Sequence, residues 1–479
     1  MTFASITFVV FFVLVYLLIL LFNSQKICAV IPEKGQLLIK KGILLIASYI
    51  FYGWWDWRFS FLMLLLTITA WFCSKKIYEK KAVHFYTVIG VVVPLVVLGF
   101  FKYFNFFISS FTSVFHIASP GALNIILPVG ISFFTFQSMS YTIDVLREKI
   151  KSYSFLDVAL YVAFFPQLVA GPIVKASDFM PQLEKNHKLK LTELSEGFQI
   201  FLIGLFKKIV VADNLSVFVD DVFAKPLAFS SLTVILSVVS YSIQIYFDFS
   251  GYSDMAVGTA KCLGYHLNRN FNMPYVSKNV TEFWKRWHIS LSTWLQEYLY
   301  IPLGGNRKGE VRRYINLFIT MVLGGLWHGA NYTFILWGIL HGGALCVHKL
   351  FLKFNKKKKP TVLAGVFSAI VTYVFVCVCW VFFRAENIRV ALDVLHRMFV
   401  WENGITQIFV WTIFAVVVMV VTHTIAWFKS KKNGLATIEG YYPILDLSKL
   451  SSLIIVFSLL FFIFCVAYTN ANPFIYFQF

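Results

Sequence analysis

Two histidines in this chain each follow a tryptophan: Trp287-His288 within TEFWKRWHIS, and Trp327-His328 within LGGLWHGAN. The first pair stands in an aromatic, cationic stretch with Lys285 and Arg286. The second stands in an apolar run loosened by Gly324, Gly325 and Gly329. A neutral imidazole, with an ordinary pKa of about 6.5, suits the removal of a proton from an attacking hydroxyl. The competing reading is structural, a histidine hydrogen-bonded between helices or an interfacial ring held by its tryptophans. No further Cys, Asp or Glu completes a metal-ligand set around either ring, so no metal and no bound cofactor are expected.

The elements that must position these rings follow from composition. The 479 residues are 59% hydrophobic and 19% aromatic and only 14% charged, with 53 phenylalanines. A soluble globule carries about a quarter charged residues. Apolar runs of spanning length recur at Thr2–Phe22, Val83–Phe111, Leu232–Phe249, Val362–Phe383, Ile405–Phe428 and Leu453–Tyr468. They lack the alternation of barrel strands, so an all-α integral membrane protein is expected, a single polytopic domain over 1–479. Thr2–Phe22 lacks a basic n-region and a small-residue cleavage site, and is expected to be a retained span. The seven cysteines show no framework spacing and read as buried thiols.

The net charge of +19 does not imply nucleic acid. The bases stand in short clusters between apolar runs, at Lys75–Lys81, Lys185–Lys190, Arg307–Arg313, Lys353–Lys359 and Lys429–Lys432, as in a positive-inside topology. If 307–313 and 353–359 share the cytoplasmic side, the 39 residues between them must enter and return. As helix they give about 58 Å, just short of two full crossings. His328 is then expected deep in the bilayer, where an ionisable group is costly and tends to serve function.

The segment from 271 to 352 carries both histidines. Its opening stretch never becomes apolar enough to span. Phe283, Trp287, Leu291, Trp294, Leu295 and Tyr298 recur at three and four, as on an amphipathic interfacial helix. PLGGNRKG then offers a loop with Asn306, Arg307 and Lys308. Two polar strings interrupt apolar surroundings: FFTFQSMSYTIDV with Gln137, and YFDFSGYSDMAVG with Asp248, Ser250 and Asp254. Interhelical hydrogen bonding explains both strings, with funnel lining as the alternative. Pro166, Gly171 and Pro172 in FFPQLVAGPI predict a broken or re-entrant helix.

EFWKRWHISLSTWLQEYLYIPLGGNR followed by LGGLWHGANYTFILWGILHG resembles the membrane-bound O-acyltransferase (MBOAT) family. The likeness extends through ASYIFYGWWDWRF, LPVGISFFTFQSMSYTIDV, FFPQLVAGPI, FDFSGYSDMAVG and the closing NPFIYFQF. IPLGGNR and FIYFQF favour the alginate O-acetylation branch over the related teichoic-acid D-alanylation branch. The resemblance implies a ring of about eleven transmembrane helices, with re-entrant and interfacial helices around a central catalytic tunnel. It implies a thioester donor such as acetyl-CoA on the cytoplasmic side, and export of the acyl group to a cell-surface polysaccharide. It assigns His328 as principal catalytic histidine and His288 as the second. Around them Trp287, Trp327, Asn331, Arg286, Asn306, Arg307 and Lys308 are candidate substrate-binding residues, with Lys285, Arg312 and Arg313 as further basic candidates. The implied setting is a bacterial inner membrane, with an SGNH-type extracytoplasmic partner finishing the acetylation.

Other readings stay open at this point. D-alanyl transfer to teichoic acid and acetylation of peptidoglycan are the nearest. A small-solute transporter shares intramembrane histidines and broken helices, although no internal repeat is visible. A scaffold that only hands the acyl group to a separate transferase is a third class.

Overall fold

The computed structural model describes residues 1–24, 29–118, 121–169, 171–354, 361–433, 444–467 and 474–475. Most of the 353–359 cluster and of the closing 472–479 string lies outside these residues, as do Cys28 and the side chains of Lys429–Lys432. Among the described residues the structure is helical, with one isolated bridge between Phe229 and Ile405. Among the described residues six helices are long and apolar enough to cross a membrane: Glu33–Asp56, Arg58–Tyr78, Val83–Phe115, Ser231–Cys262, Tyr332–Phe354 and Val362–Arg384. Ile6–Leu21, Val410–Ile425 and Leu450–Val466 are shorter apolar helices. Contacts gather the chain into two units, residues 1–201 with 254–268 and residues 202–253 with 269–479.

In the first unit, helix Ile131–Leu146 is buried along nearly its whole length although it carries Gln137, Ser138, Ser140, Thr142 and Asp144. Ser140 and Asp144 pair with neighbouring elements, while Ser138 and Thr142 bond back to carbonyls of their own helix. Ser140 Oγ lies 3.1 Å from Tyr161 Oη, which donates to the Val174 carbonyl at 2.8 Å. Asp144 Oδ2 accepts from the Ser177 amide at 3.3 Å. The expected break is also present: helix Phe155–Ala163 stops at Phe164, and a single turn, Phe165–Leu168, follows. Gln167 Nε2 donates to the Tyr161 carbonyl at 2.7 Å, satisfying an acceptor the break exposes.

The second unit holds both histidines. Helix Ser231–Cys262 begins in it and runs for 32 residues, so Asp248, Ser250 and Asp254 lie within a helix rather than at the end of a span. Asp248 is held by a cation and a main-chain amide. It pairs with buried Lys208 at 2.6 Å, as Asp213 does at the same distance, and its Oδ2 accepts the Ile475 amide at 2.9 Å. A lysine this buried needs both carboxylates.

Helices Glu310–His328 and Tyr332–Phe354 form an antiparallel hairpin. Their far ends meet through Lys353 and Glu310 at 2.5 Å, which puts residues 310 and 353 on the same side. Small residues set the spacing. A Cβ on Gly325 would lie 2.3 Å from the Phe334 carbonyl oxygen, and one on Gly338 would lie 2.6 Å from that of Met321. Only glycine permits this approach.

Candidate active site

His328 is the last residue of its helix and is almost wholly buried. The chain leaves the helix at Gly329, whose backbone is extended, and a side chain there would collide with the Phe334 ring, 2.1 Å from the added Cβ. Rings surround the imidazole: Trp327 at 5.0 Å, Trp337 at 5.0 Å and Phe383 at 5.1 Å, all close to perpendicular. Edge-to-face packing of this kind restricts ring rotation. Asn331 starts the returning helix, its Oδ1 accepting from the Thr333 amide at 3.1 Å. Its Nδ2 donates to the Glu386 carbonyl at 2.8 Å, so both ends of the amide serve the turn.

His288 is reached differently. Helix Val280–Arg286 starts at Asn279, whose Oδ1 caps the Glu282 amide at 2.8 Å, and Glu282 Oε2 in return accepts the Lys278 amide. The helix stops at Trp287, and His288 adopts a left-handed φ of +42° before helix Ile289–Leu295 begins. The single amphipathic helix expected over 283–298 is thus two helices of seven residues and a wider π turn, Gln296–Tyr300. The cause is a strand-like pairing with residues 270–272. The Ile289 amide donates to the Asn270 carbonyl, and the Asn272 amide to the Arg286 carbonyl, each at 2.9 Å. The periodicity still marked burial correctly, for Phe283, Trp287, Leu291, Trp294, Leu295 and Tyr298 all face inward.

The imidazole of His288 is fully buried, with Nδ1 3.1 Å from Asn270 Oδ1 and the Phe249 ring perpendicular at 4.6 Å. Burial pushes its pKa down to about 3, so it is neutral near pH 7. Trp327 joins the two histidines, its ring 6.2 Å from His288 and 5.0 Å from His328. Trp287 packs one layer behind, on Trp380 at 4.8 Å and Phe271 at 5.0 Å.

A cavity of about 330 Å³ opens beside the hairpin. Lys285, Arg313, Lys349 and Asn306 supply its polar rim, and Trp284, Leu295, Leu317, Met321 and Leu345 its apolar wall. Gln296 and Tyr300 reach it from the π turn, and Tyr300 Oη donates to Asn306 Oδ1 at 2.6 Å. Met321 lies seven residues before His328 on one helix, about 10 Å along it. A chain of aromatic contacts also links the cavity wall to His328. Trp284 Nε1 donates to Nδ1 of buried His341 at 3.3 Å, His341 packs on Trp337 at 4.7 Å, and Trp337 on His328 at 5.0 Å.

Of the basic candidates, Lys285 and Arg313 line this cavity. Arg286 does not: it bonds Glu282 at 2.9 Å and the Asn272 carbonyl at 3.1 Å. Arg307 and Lys308 lie on the exposed turn outside the lining. Lys349, on the cavity, and His341, behind it, are given no role by the sequence. The signal was a four-residue stripe, Trp337, His341, Leu345 and Lys349, along one face of the returning helix.

The MBOAT, membrane-bound O-acyltransferase family model matches residues 129–392, which include both histidines and the cavity. The chain belongs to that family. It is 43% identical over 370 residues to "Probable alginate O-acetylase AlgI" of Pseudomonas aeruginosa, covering 74% of this chain and 69% of that protein. To the "Peptidoglycan O-acetyltransferase" of Helicobacter pylori it is 40% identical over 393 residues, 76% of this chain and 74% of that one. Similarity to the "Teichoic acid D-alanyltransferase" of Bacillus subtilis is lower, 29% over 271 residues, 53% and 68% of the two chains. The chain is therefore a membrane O-acyltransferase.

Proposed function

We propose that this enzyme takes an acetyl group from acetyl-CoA on the cytoplasmic side of a bacterial inner membrane and passes it outward for O-acetylation of a polysaccharide. The observation that carries the reading is the joining of both histidines through Trp327, beside a cavity whose rim is cationic and whose wall is apolar. The rim suits the phosphates of coenzyme A, and the wall its pantetheine arm. The hydroxyl that receives the acetyl group gives its proton to His328 as it attacks the thioester carbon. The C–O bond forms, the C–S bond breaks, and the thiolate leaves toward the cavity. The hydroxyl belongs to the glycan itself or to an SGNH-type extracytoplasmic partner that completes the transfer.

The peptidoglycan relative favours a second acceptor, the amino-sugar backbone of the cell wall. Purified protein in proteoliposomes with acetyl-labelled acetyl-CoA tests the reading. Release of free CoA with label appearing on alginate-like oligosaccharide, on peptidoglycan fragments or on a co-reconstituted partner supports it and names the acceptor. Label that crosses the bilayer as an intact solute, with no CoA released, overturns it in favour of a transporter.

A further inference from the structure

Asn270 borders the segment that carries both histidines and is given no role by its sequence, yet two donors and a histidine nitrogen converge on its side-chain oxygen. The Ser290 amide donates to Oδ1 at 3.2 Å and the Ser290 hydroxyl at 2.9 Å, and His288 Nδ1 lies 3.1 Å away. A main-chain N–H can only donate, so the atom that receives it is the amide oxygen and not its nitrogen. The other end agrees, since Asn270 Nδ2 donates to Ser253 Oγ at 3.3 Å. With the amide oriented by the Ser290 N–H, the remaining contact fixes the imidazole. An acceptor oxygen against Nδ1 requires the proton on Nδ1. Ser290 Oγ, 3.5 Å from the same nitrogen, has already committed its own proton to Asn270 and offers Nδ1 only a lone pair.

We propose that Asn270 is the positioning residue of His288, holding it as the Nδ1–H tautomer so that Nε2 keeps its lone pair. The consequence for chemistry is directional. A substrate group that meets Nε2 must bring a proton, an O–H or N–H of acceptor or donor; a thioester sulfur or a bare carbonyl oxygen gains nothing there. His288 is then an acceptor in the centre and never an oxyanion donor from that nitrogen. The same pairing of 270–272 with 286–289 that creates the left-handed turn at His288 delivers Asn270 to the ring, so one backbone feature sets both position and proton. The neighbours named around the ring, Phe249, Trp327, Asn270 and Ser290, are uncharged, and the nearest cation in sequence, Arg286, is paired with Glu282.

The inference deepens the catalytic reading of His288 and is tested separately from it. The full-length protein, labelled with ¹⁵N-histidine and compared with His288→Gln to assign the ring, should show Nδ1 protonated and Nε2 unprotonated. A ring protonated on Nε2 overturns the proposal without any change at Asn270. Asn270→Leu should lose the fixed tautomer and lower kcat for acetyl transfer by about tenfold or more, with KM for acetyl-CoA little changed. Asn270→Asp keeps the acceptor oxygen and should recover some of that loss, a rescue that a packing role would not produce. Should the Leu variant fail to accumulate, the parent spectrum and the Asp variant still decide. His288→Ala measured alongside separates the two claims. Parent-level transfer there removes His288 from the centre, whereas lost transfer with an Nε2–H ring removes only the role of Asn270.

Discussion

His288 and His328 flank the same indole, but one is held by a hydrogen-bonded polar clamp on a strained turn and the other by three aromatic edges at the end of a long helix. A clamp of fixed donors and acceptors dictates which nitrogen carries the proton. A cage of ring edges dictates orientation. A general base must gain and lose a proton in each turnover, and a residue that orients a substrate must not. On the proposed reading His328 carries the mobile proton and His288 the fixed one, and substitutions at the two rings test that division.

The largest effect that can break this assignment is at His328. His328→Ala should lower acetyl transfer by about two to four orders of magnitude. Folding should survive, because Trp327, Trp337 and Phe383 keep their contacts with one another's elements. The check is transfer rate alongside detergent thermal stability. His288→Ala should be milder and should alter KM as well as kcat. If the two substitutions exchange these profiles, the roles are exchanged too.

Next in size is the packing that holds the His328 side alone. Gly325→Leu or Gly338→Leu must push apart a pair of helices whose backbones nearly touch. Overpacking costs about 1–3 kcal/mol, and backbone clashes of this kind lie at the upper end. Thermal stability should fall and transfer should fall with it, while the Asn270–His288 pairing, on other elements, stays intact. A variant of parent stability and rate would mean that the hairpin opens at little cost.

The comparison also shows what was legible beforehand. Both Trp-His pairs and the hairpin around His328 could be read, because glycines and basic clusters are punctuation that needs no tertiary context. The burial of Phe283 through Tyr298 was legible from period alone. The break at His288 was not, since its cause is a pairing with residues 270–272 that local propensity does not encode. Asn270 was invisible for the same reason. Among the cations, sequence named Lys285 and Arg313 together with Arg286, Arg307, Lys308 and Arg312, and only geometry separates the first two, which line the cavity, from the rest. Lys349 lies 64 residues beyond Lys285, so nothing short of the fold brings the two to one cavity.

Third comes the cavity rim. Lys285→Gln and Arg313→Gln should each raise KM for acetyl-CoA by about tenfold, the size of one charge-assisted hydrogen bond to phosphate, and leave kcat within about twofold. Desulfo or dephospho analogues of CoA locate the effect: a donor lacking the 3′-phosphate should lose its sensitivity to whichever cation held that group. An unchanged KM in both variants would detach this cavity from the donor.

The smallest effect is expected where sequence alone would have looked first. Arg307 and Lys308 sit in IPLGGNRKG, the most cationic stretch of the loop, yet both lie on the exposed turn outside the cavity lining. Exposed charges act on a polyanion mainly through the screened field, which falls off over about 8 Å at physiological salt. Arg307→Gln with Lys308→Gln should therefore raise KM for acetyl-CoA by no more than about twofold to threefold, and that increase should vanish when ionic strength is raised. The effects of Lys285→Gln and Arg313→Gln should persist, because a contact inside a cavity is screened much less. A tenfold, salt-resistant rise from the Arg307–Lys308 pair would move the donor from the cavity to the loop, and with it the side of the site from which the acyl group approaches His328.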